Sequence, residues 1–239
     1  NLSCTACHEV ENHRFMGRGL DLRESDRTGM MTCTQCHPSA PHASATTNRH
    51  TAHVACQTCH IPTYAKAGTT TEIERNWDQP VWAGGLLGGQ GGFKPEEIRA
   101  ANLIPSYQWY DGTSQVYVLG QSPPQNADGE YELGLPNGTV AGHQAQIMPM
   151  KEHRSNSARH DATGQLIPHS TFTYFVTGDF DQAVADGMAY TGLSGNWSRV
   201  RVHTYQTINH EVVDSTGALS CGECHAEYSA GNPVRMDLK

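Results

Sequence analysis

Four Cys-x-x-Cys-His units are the residues of this chain whose types and spacing could carry chemistry. Two thiols at this spacing add to the vinyl groups of haem, and the histidine that follows takes one axial position on the iron. The units use all eight cysteines, and they predict four covalently bound c-type haems, each with its own motif histidine as proximal ligand. They are Cys4-Cys7-His8, Cys33-Cys36-His37, Cys56-Cys59-His60 and Cys221-Cys224-His225.

Zinc ribbons and a disulfide framework are two other uses of paired cysteines. Neither requires a histidine directly after every pair, whereas haem attachment does. A thioredoxin-like redox motif would need one pair rather than four. We therefore interpret the pattern as that of a multihaem cytochrome c.

A second axial ligand is needed for each six-coordinate iron, and ten histidines lie outside the four units. Chain reach restricts which haem each can serve. His13 follows His8 by five residues, at most about 17 Å of extended chain, too short to wrap around to the far side of the same haem. His42 stands in the same relation to His37. Both should serve another haem or none.

The region before the third motif is limited in the same way. His50 and His53 precede Cys56 by six and three residues, so neither can reach the far side of the haem bound there. His210 has slack to serve its own haem or another. We predict His13, His42, His50 and His210 as distal ligands, with His53 as the substitute for His50. Such ligands would hold successive haems close together, as rapid electron transfer requires.

The elements that position these residues are expected to be irregular. With 24 glycines, 12 prolines and only 37% hydrophobic residues, the sequence predicts little regular secondary structure. We expect mostly loops with short helices and a few short strands, packed around a haem chain that supplies apolar surface. A single domain over 1–239 would comprise a three-haem segment at 1–60, a haem-free insert at 61–220, and the fourth haem with a C-terminal tail at 221–239.

Local signals refine this expectation at four places. Residues 17–31 are polar and punctuated by glycine, which indicates a loop. Asp111-Gly112 lies between two strand-like runs and predicts a hairpin. Two short helices are expected, at Pro95–Asn102 and Asp179–Ala189. Met148 and Met150 could replace histidine on an iron, but packing explains them better.

The charge of the chain is acidic, with a formal net value of −8 before any haem propionates are added. Its basic residues are scattered, which argues against nucleic acid or anionic membrane as a partner. No apolar run approaches the ~20 residues of a membrane-spanning helix. Haem attachment of this type takes place outside the cytoplasm, so we expect an exported protein whose signal has been removed, or a piece of a longer multihaem chain.

Several stretches beyond the motifs are similar to a known family. RHTAHVACQTCHIPTYAK, NLIPSYQWYDGT and INHEVVDSTGALSCGECH resemble the C-terminal half of octahaem tetrathionate-reductase-family cytochromes. The resemblance implies that His50 and His210 are axial ligands. In that family a lysine-ligated catalytic haem belongs to the N-terminal half, and this chain has no Cys-x-x-Cys-Lys.

The chain also resembles the tetrahaem extracellular cytochrome nanowires, which have four bis-histidine haems in chains of similar size. In those filaments a neighbouring subunit donates one axial histidine, which implies that role for His13. The expected function is electron transfer as the repeating unit of an extracellular conductive filament, with other redox proteins or extracellular acceptors as partners.

Two alternatives have the same motifs. One is a monomeric periplasmic electron shuttle. The other is a reductase of nitrogen or sulfur oxyanions, or a fragment of an octahaem one, which would need an open iron beside anion-binding groups. Only KEHRSNSARH at 151–160 suggests such groups, through Lys151, His153, Arg154 and His160, and propionate partners on a solvated loop explain that run better. We therefore expect no enzymatic activity.

Overall fold

The structure is a computed structural model that describes residues 3–15, 32–142 and 144–225. The loop expected at 17–31, His143 and the tail after His225 lie outside the described residues.

A seven-stranded mixed sheet dominates the segment between the third and fourth motifs. The strands are β3 (Thr71–Ala83), β4 (Gly92–Ala100), β5 (Ser106–Tyr110), β6 (Ser114–Val116), β7 (Tyr131–Pro136), β8 (Gln146–His160) and β9 (Trp197–Thr207). Their order in the sheet is β4-β3-β8-β9-β7-β6, and β5 forms an additional pair with β8. Pairing is antiparallel for β8 with β9, and parallel for β3 with β8 and for β7 with β9.

The expectation of mostly loops with a few short strands is therefore wrong in its strand content, since β3 has 13 residues and β8 has 15. The glycines that suggested irregular structure are concentrated in connections. Gly84 to Gly91 form the turn between β3 and β4, where Gly88, Gly89 and Gly91 have positive φ values that suit glycine. Along β7, buried and partly buried residues alternate, as expected of a strand with one face against the core.

Two helices cover one part of this sheet. They are α3 (Thr171–Thr177) and α4 (Phe180–Thr191). Ser170 and Asp179 cap their first turns, and Gly178 and Gly192 end them in the left-handed conformation. Their apolar faces pack with residues of β3 and β8 in one core. That core contains Trp77, Ala158, Ile167, Tyr174, Phe180, Ala183, Val184 and Met188.

The local predictions have mixed outcomes. The helix expected at Asp179–Ala189 is present as α4. The helix expected at Pro95–Asn102 is wrong, because Pro95 lies in edge strand β4 opposite Pro80. Edge strands tolerate proline because their outward N–H groups need no partner. The hairpin at Asp111-Gly112 is also wrong, since β5 pairs with β8 and β6 with β7.

The haem-attachment motifs lie on short helical turns around the sheet. The first two are 3₁₀ turns at Cys4–Ala6 and Cys33–Gln35. α1 (Ala45–His50) precedes the third motif, which forms α2 (Cys56–His60), and the fourth forms α5 (Cys221–His225). Between the first two, β1 (Val10–Glu11) and β2 (Arg14–Phe15) make a small separate hairpin.

Backbone hydrogen bonds fix α2 against the rest of the fold. Ala55 N donates to Ile147 O of β8 at 3.0 Å, and the buried Thr58 hydroxyl donates to the same carbonyl. On its other side, Leu219 N donates to Cys59 O and Val213 N to His60 O. The third motif is thus held between the sheet and the segment that leads to the fourth. Across the described residues we find no helix with the length and apolarity to span a bilayer.

Candidate functional site

Among the described residues, three pairs of histidine rings face each other at nearly equal separations. In each pair one ring belongs to a Cys-x-x-Cys-His motif and the other lies outside the motifs. The centroids are 6.1 Å apart for His8 and His210, 6.2 Å for His60 and His42, and 5.9 Å for His225 and His50.

This separation fits one iron between two imidazoles. Metal–nitrogen bonds to imidazole are about 2 Å, and a ligating nitrogen lies about 1 Å from the ring centre, so opposed axial ligands have centroids about 6 Å apart. Two of the pairs are nearly parallel, with interplanar angles of 21° and 25°, and the first is tilted by 56°. The residues present therefore fit the two axial positions of a haem iron.

Hydrogen bonds orient both rings of the His60–His42 pair. His60 Nδ1 lies 2.9 Å from Val213 O, and because a carbonyl only accepts, Nδ1 carries the proton. His42 Nδ1 lies 3.2 Å from Asn48 Oδ1, which also accepts from the backbone N of His42. In both rings Nε2 is left with its lone pair for a metal. Such outer partners of ligating histidines fix ring orientation and raise ligand basicity.

The short helix α1 serves two of the pairs at once. Ser44 caps its first turn by accepting from Thr47 N, and His50 is its last residue. Asn48 lies on the same helix and holds His42 through three hydrogen bonds, the third from Asn48 Nδ2 to His42 O at 2.7 Å. Of the two histidines considered before the third motif, His50 has a facing ring, whereas the exposed His53 has none among the described residues.

No disulfide joins any two of the eight cysteines. The Cys33 thiol hydrogen bonds to that of Cys56, which raises the pKa of Cys33 and lowers that of Cys56 to about 6. Burial, with added repulsion from Cys224, raises the pKa of Cys59 to about 11. The second attachment site therefore adjoins the third, and the third adjoins the fourth.

His37 differs from the other motif histidines. No second ring faces it in the part of the chain that the structure describes, and like His225 it is exposed. His13 is also exposed and lies at the tip of the β1–β2 hairpin, where Val10 pairs with Phe15 and Glu11 with Arg14. Asn12 and His13 form the two-residue turn with φ of 48° and 62°. Histidine, like asparagine, is one of the residues other than glycine that adopt this left-handed conformation most readily.

Four of the remaining histidines are bound within the protein. His153 Nε2 lies 3.0 Å from Glu72 Oε1, and His160 bonds to Thr163 and to Ser194 O. His203 is buried between Glu132 and Glu152 at 3.0 Å and 3.4 Å. His169 packs against Trp77 and Phe180, and burial lowers its pKa to about 4.

The interpretation of 151–160 as a solvated loop is wrong, because these residues belong to the central strand β8. Arg154 pairs with Glu130 and Glu152, and its strand neighbours are partly or fully buried. The nearby imidazole of His203, with hydrogen bonds from Ser106 and Arg154, lowers the pKa of Glu152 to about 2. Met148 and Met150 are buried in a small core with Ala55, as expected of packing residues.

Sequence reasoning missed the two groups that orient the rings. Nothing in the sequence marks Val213, which contributes only a backbone carbonyl. Asn48 lies six residues after His42, and its role depends on the turn that leads into α1. A polar residue that follows a candidate ligand at this distance was the one available signal, and it is weak.

A sequence model of the family described as bacterial cytochrome c matches residues 90–228. The chain belongs to this family. The structure of an octahaem cytochrome c from Shewanella oneidensis is also similar, with a TM-score of 0.75 and 28% sequence identity. The match covers 94% of this chain and 55% of that one, so the cytochrome spans about half the length of the octahaem protein. A search of curated proteins finds no match.

These comparisons confirm the multihaem cytochrome c fold and the similarity to octahaem cytochromes. Membership of the family implies covalently bound c-type haem and a role in electron transfer.

Proposed function

We propose that the cytochrome transfers electrons through four c-type haems, each attached by two thioether bonds and ligated by two histidines. The observation that carries the proposal is the set of three ring pairs with the spacing of opposed axial ligands. In this assignment His210, His42 and His50 are the distal ligands to the irons held by His8, His60 and His225. Bound haem supplies a one-electron ferric/ferrous couple.

The protein's own residues occupy both axial positions of the proposed irons and hold neighbouring haem sites close together. Imidazoles on both sides of an iron leave no position for a substrate, which favours transfer over catalysis at these three sites. His42 follows the second motif but serves the third, and His50 precedes the third but serves the fourth. Each short connection therefore keeps neighbouring sites close, and the adjacent Cys33 and Cys56 thiols support the same arrangement.

The iron held by His37 is proposed to receive its second ligand, His13, from a neighbouring subunit. Two observations support this. His37 is exposed without a facing ring in the described residues, and the hairpin presents His13 at an exposed tip. Repetition of this contact from copy to copy would build a filament.

We place the filament outside the cell or on its surface, with the periplasm as the alternative location. The attachment chemistry requires an exported chain, and the acidic charge of −8 suits exchange with basic redox partners. Other cytochromes or extracellular electron acceptors are the proposed partners.

The decisive experiment combines haem quantification, electron paramagnetic resonance and electron microscopy of the holoprotein. We expect four haems per chain, low-spin iron and uniform filaments from the wild type. His13→Asn should abolish filaments and convert one haem in four to high spin, because asparagine adopts the same turn but offers no imidazole. His53→Asn, which removes another exposed histidine, should change neither readout.

Filaments with four low-spin haems in His13→Asn would overturn donation by His13. Fewer than four haems per chain in the wild type would overturn the assignment of one haem to each motif.

The exposed His37 also favours a second candidate function, reduction of a small oxyanion at that iron. This requires His13 to leave the iron open, and a high-spin ferric signal in the wild type that changes on addition of nitrite would support it. Discrete particles with four low-spin haems would instead indicate a monomeric shuttle.

A further inference from the structure

A cavity of about 700 Å³ opens beside His210 at one end of the sheet. β8 and β9 place Lys151 and Gln206 opposite each other there, and β3 begins at Thr71 on the same wall. The chain leaves β9 at Thr207 and reaches His210 along the cavity rim. The cavity thus lies next to one of the proposed iron ligands.

Lys151 is the notable charge in this cavity. Its half-buried ammonium donates to the Thr71 hydroxyl at 2.9 Å. Within the described ranges no carboxylate lies at ion-pair distance from it, although Glu72 is near enough to influence it. Glu72 is already engaged by Arg75 and His153.

Further positive charge lies at the same wall. The guanidinium of Arg99 donates to the hydroxyl and the carbonyl of Thr70, which lines the cavity. The carboxylate of Glu211 also lines the cavity, where it accepts from Lys66 N at 3.0 Å. The side of the cavity with Lys151 is therefore cationic, and a half-buried cation without a counter-ion is costly unless an anion completes the site.

We propose that this cavity binds a carboxylate through the Lys151 ammonium and the Thr71 hydroxyl, and that the carboxylate is a propionate of the haem held by His8 and His210. The inference rests on the proposed function, because that ligand pair places haem beside the cavity. Burial and the charge of Arg99 lower the pKa of Lys151, and a carboxylate would offset both effects.

A nearby positive charge makes it easier to add an electron to an iron, so Lys151 should raise the reduction potential of this haem above the value it would otherwise have. Of the six histidines in the three ring pairs, only His210 lines the cavity. The effect should therefore be confined to one of the four couples.

Spectroelectrochemical titration of the holoprotein tests the proposal with two variants and a control. Lys151→Gln should lower one midpoint potential and leave three unchanged, and Lys151→Arg should retain the wild-type value. Lys94→Gln removes the same charge from edge strand β4, where Lys94 pairs with Glu97, and should move none. Unchanged potentials in Lys151→Gln would overturn the proposal.

A free oxyanion from solution could bind to Lys151 and Thr71 in place of a haem propionate. Wild-type protein titrated with sulfate should show no change in potential if a propionate fills the site. A sulfate response that Lys151→Gln abolishes would assign the cavity to free oxyanions and overturn the propionate assignment. If His210 is not an iron ligand, the proposed function fails instead, and His210→Ala would then keep all of its iron low-spin. That result is distinct from the potentials measured in Lys151→Gln.

Discussion

At the scale of single residues, the iron-binding proposal depends on the groups that accept hydrogen bonds from the ligating histidines. An imidazole that donates through Nδ1 presents Nε2 to the metal in a fixed direction, and the strength of that hydrogen bond tunes the basicity of the ligand. His60 donates to a carbonyl and His42 to a side-chain amide oxygen. Only the second of these can be changed by a substitution.

Substitutions of Asn48 should shift one reduction potential in opposite directions. Asn48→Asp supplies a stronger acceptor, makes His42 more basic, stabilises ferric iron and lowers the potential. Asn48→Ala removes the acceptor and should raise it. Spectroelectrochemical titration measures both, with Thr46→Ala on the same helix as control. Shifts of the same sign in the two Asn48 variants would contradict the role assigned to this residue.

Sequence alone defines the proximal half of the site more completely than the distal half. The Cys-x-x-Cys-His units are contiguous, so their chemistry can be read without a fold. Chain reach directs His42 and His50 away from their nearest motifs, but it does not identify the motifs they face. That choice depends on β8 and on the segment around Val213, which hold α2 from two sides. The ligand assignments themselves stay predictions.

At the scale of elements, the sheet shows how composition misled the prediction. Pro95 and the glutamates after it suggest the first turn of a helix, yet the same residues form an edge strand whose pairing with β3 is interrupted by irregularities. The α4 prediction succeeded because Asp179 caps it and apolar residues recur on one face. Local signals thus identified the capped helix and failed where long-range pairing determines the structure.

Gly187 on α4 should resist the substitution that usually stabilises a helix. Alanine normally gains about 1 kcal/mol over glycine inside a helix. Here a Cβ would collide with the carbonyl oxygen of Pro168, so Gly187→Ala should instead cost about 1–3 kcal/mol of unfolding free energy. Gly85→Ala, whose Cβ would meet open space, is the control for urea unfolding. A Gly187→Ala variant more stable than the wild type would show that α4 and Pro168 are not in contact.

His169 should make stability depend on pH. Burial against Trp77 and Phe180 lowers its pKa from 6.5 to about 4, so the unfolded chain binds this proton more readily than the folded one. Above about pH 6.5, His169 does not lower the free energy of unfolding. As the pH falls towards 4, protonation of the unfolded chain lowers it by up to about 3 kcal/mol.

His169→Phe keeps the packing and removes the titrating group, and it also removes Nε2, which is buried without a hydrogen-bond partner in the described residues. Urea unfolding at pH 7 and pH 5 should show a smaller loss in this variant than in the wild type. Equal losses in the two proteins would contradict the assignment.

At the scale of the whole molecule, the ring pairs join distant parts of the chain. His8 meets His210 and His50 meets His225, each across a sequence separation that includes the whole sheet. A metal bound by two distant residues closes a long loop, and it stabilises the folded protein chiefly by restricting the unfolded chain. The three-part division of the domain stays a prediction, but its first and last parts are in contact here.

His210→Ala should therefore destabilise the holoprotein far more than His53→Ala. Loss of a metal ligand that closes a loop of this length should lower the free energy of unfolding by on the order of 3–5 kcal/mol. Loss of an exposed histidine without a facing ring in the described residues should change it little. Chemical denaturation followed by circular dichroism compares the two. Equal midpoints would mean that the first ring pair does not hold the chain together.

The contact between His8 and His210 has a consequence for how the protein withstands proteases. A peptide bond cut in the exposed turn between β3 and β4 would divide the chain, but metal ligation and the antiparallel pairing across the cut would keep both pieces in one particle. A nicked molecule would then migrate as a single species until denatured, and two bands would appear only afterwards. The proposed path of electron transfer would outlast damage to the backbone.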